Sequence, residues 1–406
     1  MEALADELLD YKYKFQTFFE QAALLVEGGD VDLPERLRAK AGLDFLKRLD
    51  QYAEHVEASR FVPADVWLGR RLVPDWYLAE TWAKHRGQPV KERLDRVASA
   101  VEQNMGIHYH HDLQPEERRA LKEALKGMYR STTLRDSYKQ FFDWLGRPEL
   151  FRPAKGGRLE YADVFPLIHL KSRLEGLPRH HRQVKHLLVD EMQDYTPVQY
   201  AVLARLFPCK KTILGDASQS VNPLAGSTAE AIRAALNQGE CVRLNKSYRS
   251  TWEIARFAQR ISPNPDFVAV ERHGEEPRVV ACKTRKAEID LIRAEIAAHQ
   301  ASGHTSLGIV CKTQKQADRL YKALDGEAEG LHLLDVHSDV FTAGVLVCCA
   351  HLAKGLEFDQ VIAPHADAEN YRSEIDRNLL YVACTRAMHR LLLSCVGEPT
   401  GLIAAA

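Results

Sequence analysis

The chain has 406 residues, of which 45% are hydrophobic and 27% are charged, so collagen-like, low-complexity and wholly disordered proteins are excluded. Its 55 Lys and Arg residues nearly balance its 56 Asp and Glu residues, and the net charge of -1 gives no general attraction to nucleic acid or acidic membranes. Any contact with nucleic acid must therefore be made by a local basic surface.

The length predicts two or three domains, at about 150 residues per domain. No apolar run approaches the ~18 residues that a membrane helix needs, and the N-terminal sequence MEALADELLD is acidic, unlike a signal peptide. The eight cysteines include no Cys-x-x-Cys pair, which is typical of reduced thiols. We therefore expect a cytoplasmic protein without a membrane segment.

The first part of the chain has the hydrophobic periodicity of helices. Leu8, Tyr11, Phe15 and Phe18 recur at spacings of three and four, and similar patterns return later, up to Leu145. We predict an all-helical arm over residues 1–155, inserted in the first lobe of the fold that follows. His108, His110 and His111 lie in a predicted loop of this arm, where a solvated tract is more typical than a metal site.

From about residue 184 short apolar runs alternate with helical segments, which predicts an α/β fold with parallel sheets. The candidate strands are 186–189, 212–214, 242–244, 278–281, 307–311, 345–349, 360–363 and 391–395. Because this is a large number of strands for one sheet, we predict two lobes, over residues 156–240 and 241–406.

Five sequence blocks carry the candidate chemistry. The first, VDEMQD at 189–194, closes the first strand with an acidic cluster, where a parallel sheet presents its ligand-binding loops. The others are LGDASQS at 214–220, SYRS at 247–250, HLAKGLEFD at 351–359 and LYVACTRA at 380–387. In this order the blocks resemble motifs II to VI of the superfamily 1 helicases of the UvrD/Rep type, which have two RecA-like lobes.

The resemblance implies an ATPase site between the lobes, with ATP and Mg²⁺ as cofactors. Asp190 would hold Mg²⁺, Glu191 would orient or deprotonate the attacking water, and Gln219 would contact the γ-phosphate. Arg249 and Arg386 would stabilise the developing phosphoryl charge. Three further residues would bind the nucleotide: Tyr248 would stack on the adenine, Glu357 would reach the ribose hydroxyl, and Gly355 would form the turn before Glu357. Gln193 would link the state of the nucleotide to that of the nucleic acid.

The family's phosphate-binding loop, Gly-x-x-x-x-Gly-Lys-Ser/Thr, does not occur in the 406 residues. We expect this motif to lie upstream of Met1 or in a separate chain, which would leave the first lobe incomplete and the activity of the isolated chain uncertain. Asn222 and Leu224 stand where UvrD-type enzymes carry an aromatic pair that stacks on single-stranded bases. The interval from Arg249 to His351 is also too short for the accessory domain that UvrD inserts there.

The motif details look most similar to the HelD branch, in which a helical arm precedes motif II and the protein releases RNA polymerase from nucleic acid. We therefore expect a motor acting on DNA, RNA polymerase or both, without a membrane partner. Two alternatives remain open. One is a catalytically silent polymerase-binding module, and the other is a 3′ to 5′ DNA helicase whose motif I lies in a separate chain.

Overall fold

A computed structural model describes the whole chain except residues 29, 217–218, 221–226, 238, 325–329, 337, 339–343 and 404–406. Asn222 and Leu224 therefore lie outside the described residues. None of the described helices combines the length and the hydropathy that spanning a bilayer requires.

Sixteen α-helices occur in the described ranges. They are α1 Glu2–Leu8, α2 Phe18–Glu27, α3 Leu33–Ala41, α4 Leu43–Arg60, α5 Asp75–Lys84, α6 Val90–Tyr109, α7 Pro115–Met128, α8 Leu134–Leu145, α9 Tyr161–Leu174, α10 Pro197–Leu206, α11 Ala229–Leu236, α12 Trp252–Ile261, α13 Arg285–Gln300, α14 Gln314–Leu324, α15 Ala350–Ala353 and α16 Glu374–Thr385.

Twelve β-strands accompany these helices in the same part of the chain. They are β1 Val66–Leu68, β2 Arg71–Val73, β3 His186–Val189, β4 Lys210–Ile213, β5 Lys246–Ser247, β6 Val268–Ala269, β7 Arg278–Cys282, β8 Ser306–Cys311, β9 Leu331–Leu333, β10 Gly344–Cys349, β11 Phe358–Ala363 and β12 Ala387–Val396. The predicted α/β class is confirmed.

Local sequence signals explain where the helices that flank the site begin. Thr196 caps α10 through a capping box with Gln199, and Pro197 occupies the first helical position. Ser373 caps α16 in the same way with Asp376. These caps satisfy the first backbone N–H groups of each helix, so the chain turns sharply from loop to helix beside the site.

The C-terminal part is built on a six-stranded sheet in the order β7-β12-β11-β8-β10-β9. All five strand pairings are parallel. Burial of both faces explains why β8 and β10 are nearly continuous apolar runs rather than alternating ones. Apolar side chains of the two faces belong to separate core clusters, one with α12 and α16 and the other with α13 and α14.

The part before it combines helices with a two-stranded parallel sheet of β3 and β4, joined through α10. One core cluster unites residues of α1, α4, α8 and α9 with β3 and α10. This cluster extends across the predicted boundary at residue 155, and the three-part domain division stays a prediction. Residues 61–129 form a further core of their own, made by the β1–β2 hairpin, α5, α6 and α7.

Three local predictions from the sequence are wrong. The residues from Leu8 to Phe18 do not form one helix, because α1 ends at Leu8, α2 begins at Phe18, and Asp10 and Tyr11 between them have positive φ. Val242 and Leu244, assigned to a strand, are 76% and 89% exposed and lie in no regular element. The arm is not wholly helical either, because β1 and β2 form an antiparallel hairpin. Three-residue strands carry too little periodicity to be recognised, and a short apolar run has the same appearance whether or not a partner strand pairs with it.

Gly308 of β8 allows the ring of Phe358 to lie directly against the strand. A Cβ atom at position 308 would come within 2.5 Å of Phe358 Cδ2. We expect Gly308→Ala to lower the free energy of unfolding by about 1–3 kcal/mol, because the buried ring must move. Chemical denaturation measures this change. Gly303→Ala is the matched control, since a Cβ there meets nothing within 4 Å, and an equal loss in both variants would contradict the packing argument.

Candidate functional site

The acidic turn after β3 forms one side of the site. Asp190 is exposed, and its Oδ1 accepts a hydrogen bond from the N–H of Glu191 at 2.8 Å. Glu191 has φ 53 and ψ 52, in the left-handed region that non-glycine residues rarely adopt. Such a conformation costs of order 1–3 kcal/mol and persists where the surrounding structure enforces it, often at functional sites.

The loop after β4 closes on this turn. Gln193 is 1% exposed, and its amide nitrogen donates to Glu191 Oε2 at 2.6 Å. Its amide oxygen accepts from the N–H of Asp216 at 3.1 Å. Gly215 permits this approach, because a Cβ at that position would lie 2.6 Å from the backbone nitrogen of Met192. Gln193 thus links the carboxylate of Glu191 to the backbone of the second loop.

Gln219 connects this loop to the C-terminal part. Its amide nitrogen donates to Asp216 Oδ2 at 2.9 Å, and its amide oxygen accepts a hydrogen bond from Arg386 Nη2. Arg386 follows α16, is 1% exposed, and also donates to the carbonyls of Val382 and Leu356 at 3.2 and 3.3 Å. These contacts hold the guanidinium at the boundary between the two parts of the chain.

Lys354, just after α15, makes a second connection across the same boundary. Its side chain is 6% exposed, and its ammonium lies 2.7 Å from Asp194 Oδ2 and 3.4 Å from Glu191 Oε2. At these distances the ammonium attracts both carboxylates. Lys354 therefore neutralises part of the acidic turn.

Arg249 and Glu357 form an ion pair beside these contacts, with Arg249 Nε 2.6 Å from Glu357 Oε1. Tyr248 next to Arg249 is 68% exposed. Gly355 has φ +84, so the turn that leads to Glu357 uses a conformation that glycine adopts without strain.

A cavity of about 1620 Å³ opens along this region. Its wall takes residues from both parts of the chain, among them Gly215, Asp216, Gln219, Tyr248, Arg249, Glu357, Tyr381 and Thr385. Asp190, Glu191 and Arg386 are not part of the wall, but Gln219, which contacts Arg386, is.

Charged groups from both parts of the chain affect the pKa of Arg386. Burial and the neighbouring charge of Arg249 lower the pKa of Arg386 to about 10, while Glu191, Glu357 and Asp216 act in the opposite direction. The guanidinium therefore remains charged at neutral pH. It is buried among groups that compensate its charge only in part, which suits a cation that receives an anionic ligand.

The structure thus brings together the predicted residues Glu191, Gln193 and Gln219 with Arg386, and it pairs Arg249 with Glu357 next to them. Lys354, Asp194 and Asp216 belong to the same set of contacts but received no role from the sequence. All three lie inside the quoted motif blocks, so their positions in these blocks could have marked them as candidate site residues. Asn378 had no such signal, and its side chain donates to the carbonyl of Ser220 at 3.0 Å.

Two family models match the chain. The UvrD/REP helicase N-terminal domain matches residues 46–238, and the UvrD-like helicase C-terminal domain matches residues 347–394. Together the two ranges cover more than half of the chain. The first contains Asp190, Glu191, Gln193 and Gln219, and the second contains Gly355, Glu357 and Arg386.

Curated relatives include DNA helicase II of Haemophilus influenzae, 29% identical over 138 residues, with 31% of this chain and 18% of that protein covered. DNA helicase II of Escherichia coli is 32% identical over 117 residues, with 27% of this chain and 16% of that protein covered. F-box DNA helicase protein 1 of Schizosaccharomyces pombe is 22% identical over 320 residues, with 58% of this chain and 36% of that protein covered. The chain spans well under two thirds of the length of these relatives.

Among solved structures, the C-terminal domain of a possible DNA helicase from Lactobacillus plantarum is 37% identical, with 39% of this chain and 92% of that chain covered. The TM-score is 0.34.

Proposed function

We propose that this chain, which belongs to the UvrD/Rep-like superfamily 1 helicases, forms the ATP-hydrolysing site of a motor that acts on DNA. The observation that carries the proposal is the contact between Arg386 and Gln219, because it joins a buried guanidinium of one part of the chain to the loop after β4, which closes on the acidic turn of the other part. A motor needs such a contact, because ATP hydrolysis in one lobe must change the position of the other lobe.

The acidic turn supplies the carboxylates that phosphoryl transfer requires to position the attacking water and the metal ion. Glu191, whose Oε2 lies 3.4 Å from the ammonium of Lys354, would accept the proton of the attacking water or orient it. Its left-handed backbone conformation sets the position from which the side chain extends. Asp190 is an exposed carboxylate at the end of β3, a hard oxygen ligand of the kind that Mg²⁺ prefers. Mg²⁺, when bound, would neutralise phosphate charge.

The two arginines, Arg249 and Arg386, would supply positive charge to the phosphoryl group during its transfer. Arg386 is held by carbonyl acceptors and therefore needs little reorganisation to meet a phosphate oxygen. Arg249 is engaged with Glu357, and ribose binding by Glu357 would require that ion pair to open or to share its carboxylate. We therefore propose that nucleotide entry exchanges the Arg249–Glu357 pair for an Arg249–phosphate contact.

The exposed ring of Tyr248, at the wall of the cavity, is proposed to stack on the adenine. Replacement by alanine is expected to weaken binding of a fluorescent ATP analogue about 10-fold, because stacking on a base contributes about 1–3 kcal/mol. Fluorescence titration with Mg²⁺, with and without single-stranded DNA, gives the affinities. Tyr109→Ala, which removes a 50%-exposed tyrosine at the end of α6, is the matched control. Equal affinities for the two variants would refute the stacking role.

Within the family we propose the HelD branch, with RNA polymerase as a partner, on the motif resemblance. The separate core of residues 61–129 supports this proposal, because it presents Trp67 and Trp76 with 66% and 63% of their surfaces exposed. Trp82 of the same segment is buried against Phe61 and Arg93 instead.

Capture of RNA polymerase on the immobilised chain tests the branch. Loss of capture in a Trp67→Ala, Trp76→Ala double variant is the expected result, and no capture by the unaltered chain would contradict the branch. Capture that is indifferent to ATP would favour the silent binding module, whereas strand separation on a tailed duplex would favour the helicase with its motif I in a separate chain.

A further inference from the structure

Three potential metal ligands meet at the N-terminal edge of the six-stranded sheet. His304 lies in the loop before β8, Asp359 is the second residue of β11, and His389 is the third residue of β12. These strands are consecutive neighbours in the order β12-β11-β8, so their starts lie side by side. One donor atom from each of the three side chains lies within 4.8 Å of the other two.

The carboxylate of Asp359 is fixed by its surroundings. Its Oδ2 accepts from the N–H groups of Thr305 and Ser306 at 2.7 and 3.1 Å and from their hydroxyls at 2.9 and 3.3 Å. Its Oδ1 faces His389 Nε2 at 3.9 Å. Ligating carboxylates in metal sites are oriented by just such outer hydrogen bonds to one oxygen, with the other oxygen directed to the ion.

The distance between Asp359 Oδ1 and His389 Nε2 is informative. At 3.9 Å the two atoms are too far apart for a hydrogen bond. Two donors that share a tetrahedral metal ion at about 2.0–2.2 Å each are about 3.3–3.6 Å apart. A movement of a few tenths of an ångström would bring the two atoms to that spacing, which suits an ion between them better than a direct contact.

The strand geometry directs His389 towards this point. Between the pairs Phe358–Ala387 and Gln360–Arg390, β12 has one residue more than β11, which is a β-bulge at positions 388–389. Bulges re-aim side chains and are frequent beside functional sites. The ring of His389 stacks on that of His304 at 5.2 Å between centroids and 27° between planes, so the two imidazoles are in contact with each other.

We propose that His304, Asp359 and His389 bind a divalent transition-metal ion, with Zn²⁺ as the best match. Two imidazoles and one carboxylate form a borderline donor set that favours zinc over Mg²⁺, whose ligands are almost all oxygens. Water would complete the coordination, since His389 is 42% exposed. Such an ion would tie the starts of three strands together, close to Glu357 and Arg386 in the sequence. The site is independent of the proposed ATPase function.

A second cluster provides the control. Glu7 Oε1 lies 3.0 and 2.9 Å from the Nε2 atoms of His180 and His181, which is ordinary hydrogen-bonding distance. His180 is 62% exposed, so its replacement by alanine removes an imidazole with little effect on packing. The variant keeps the proposed site intact and reports on any zinc taken up by the second cluster.

The test is titration of the metal-depleted 406-residue chain with ZnCl₂ by calorimetry, for the unaltered chain and for His304→Ala, His389→Ala and His180→Ala. We expect the unaltered chain and His180→Ala to bind Zn²⁺ alike, and His304→Ala and His389→Ala each to lose about 100-fold in affinity. His389 lies within β12, so its replacement could disturb strand pairing. His304 lies before β8, and His304→Ala therefore tests the site without that effect.

Two further readouts distinguish this site from other ligands. Co²⁺ in place of Zn²⁺ should give ligand-field absorption without a thiolate charge-transfer band, since no cysteine takes part. Zn²⁺ should raise the melting temperature of the unaltered chain but not that of His389→Ala. Equal zinc affinity in all four proteins, selective loss in His180→Ala, a thiolate band, or no binding by the unaltered chain would each overturn the proposal.

Discussion

Replacement of Glu191 by glutamine is expected to lower DNA-stimulated ATP hydrolysis about 10²–10⁴-fold, the contribution of a positioned general base. The amide keeps the size of the side chain but can neither accept the proton of the attacking water nor pair electrostatically with Lys354, which lies 3.4 Å away. ATP binding should change little, because the proposed contacts of Glu191 are to water rather than to the nucleotide. Phosphate release and nucleotide titration measure the two effects separately.

Glu123→Gln is the control for this substitution, since Glu123 is 65% exposed in α7, outside the site. A parallel loss in both variants would indicate a folding defect rather than a catalytic one. Hydrolysis by Glu191→Gln at the unaltered rate would refute the proposed role of Glu191. The assays are made with the phosphate-binding-loop segment supplied, and phosphate release at background level from the unaltered chain under that condition would favour the silent binding module.

Replacement of Lys40 by alanine is expected to lower the free energy of unfolding by about 3–5 kcal/mol, because it leaves the buried carboxylate of Asp163 without its cation, whereas Glu160 keeps its pair with Arg36. Lys40 of α3 is 1% exposed, and its ammonium lies 2.7 Å from Asp163 Oδ1 and 3.0 Å from Glu160 Oε2. Tyr138 donates to the same Asp163 oxygen at 2.9 Å. Burial raises the pKa of Asp163 and is opposed by Lys40, so loss of the lysine favours protonation of this carboxyl.

Denaturation in urea measures the loss, and the surface pair of Lys47 with Asp44 supplies the control. These side chains are 74% and 96% exposed, so Lys47→Ala should change stability by less than about 1 kcal/mol. A Lys40→Met, Asp163→Asn double variant should recover part of the loss, because the uncompensated charge disappears. Similar stabilities for Lys40→Ala and Lys47→Ala would contradict the view that burial determines the cost.

Much of the fold was predictable because the signals were local. The apolar runs of β8 and β10 were long enough to be recognised as buried strands, and the helical pattern that ends at Leu145 lies in α8. The spacing of Leu8, Tyr11, Phe15 and Phe18 was misleading, because the chain leaves the helical conformation at Asp10 and Tyr11. The assignment of 242–244 failed because an apolar triplet becomes a strand only if a neighbour pairs with it. The hairpin of β1 and β2 was missed because its short strands contain too few residues to show a period.

The order of the motif blocks, readable in the amino-acid sequence, predicted the family, the α/β class and the residues on which to base a site. Folding brings Arg386 to Gln219, Lys354 to Glu191 and Arg249 to Glu357, and no local pattern indicated these contacts. The three-dimensional structure alone revealed the buried ions around Lys40 and the cluster of His304, Asp359 and His389. The physical reason is that periodicity and motifs record interactions between near neighbours in the chain. Which distant side chains meet depends on how sheets and helices pack. The contribution of a charged group to stability depends on how deeply this packing buries it.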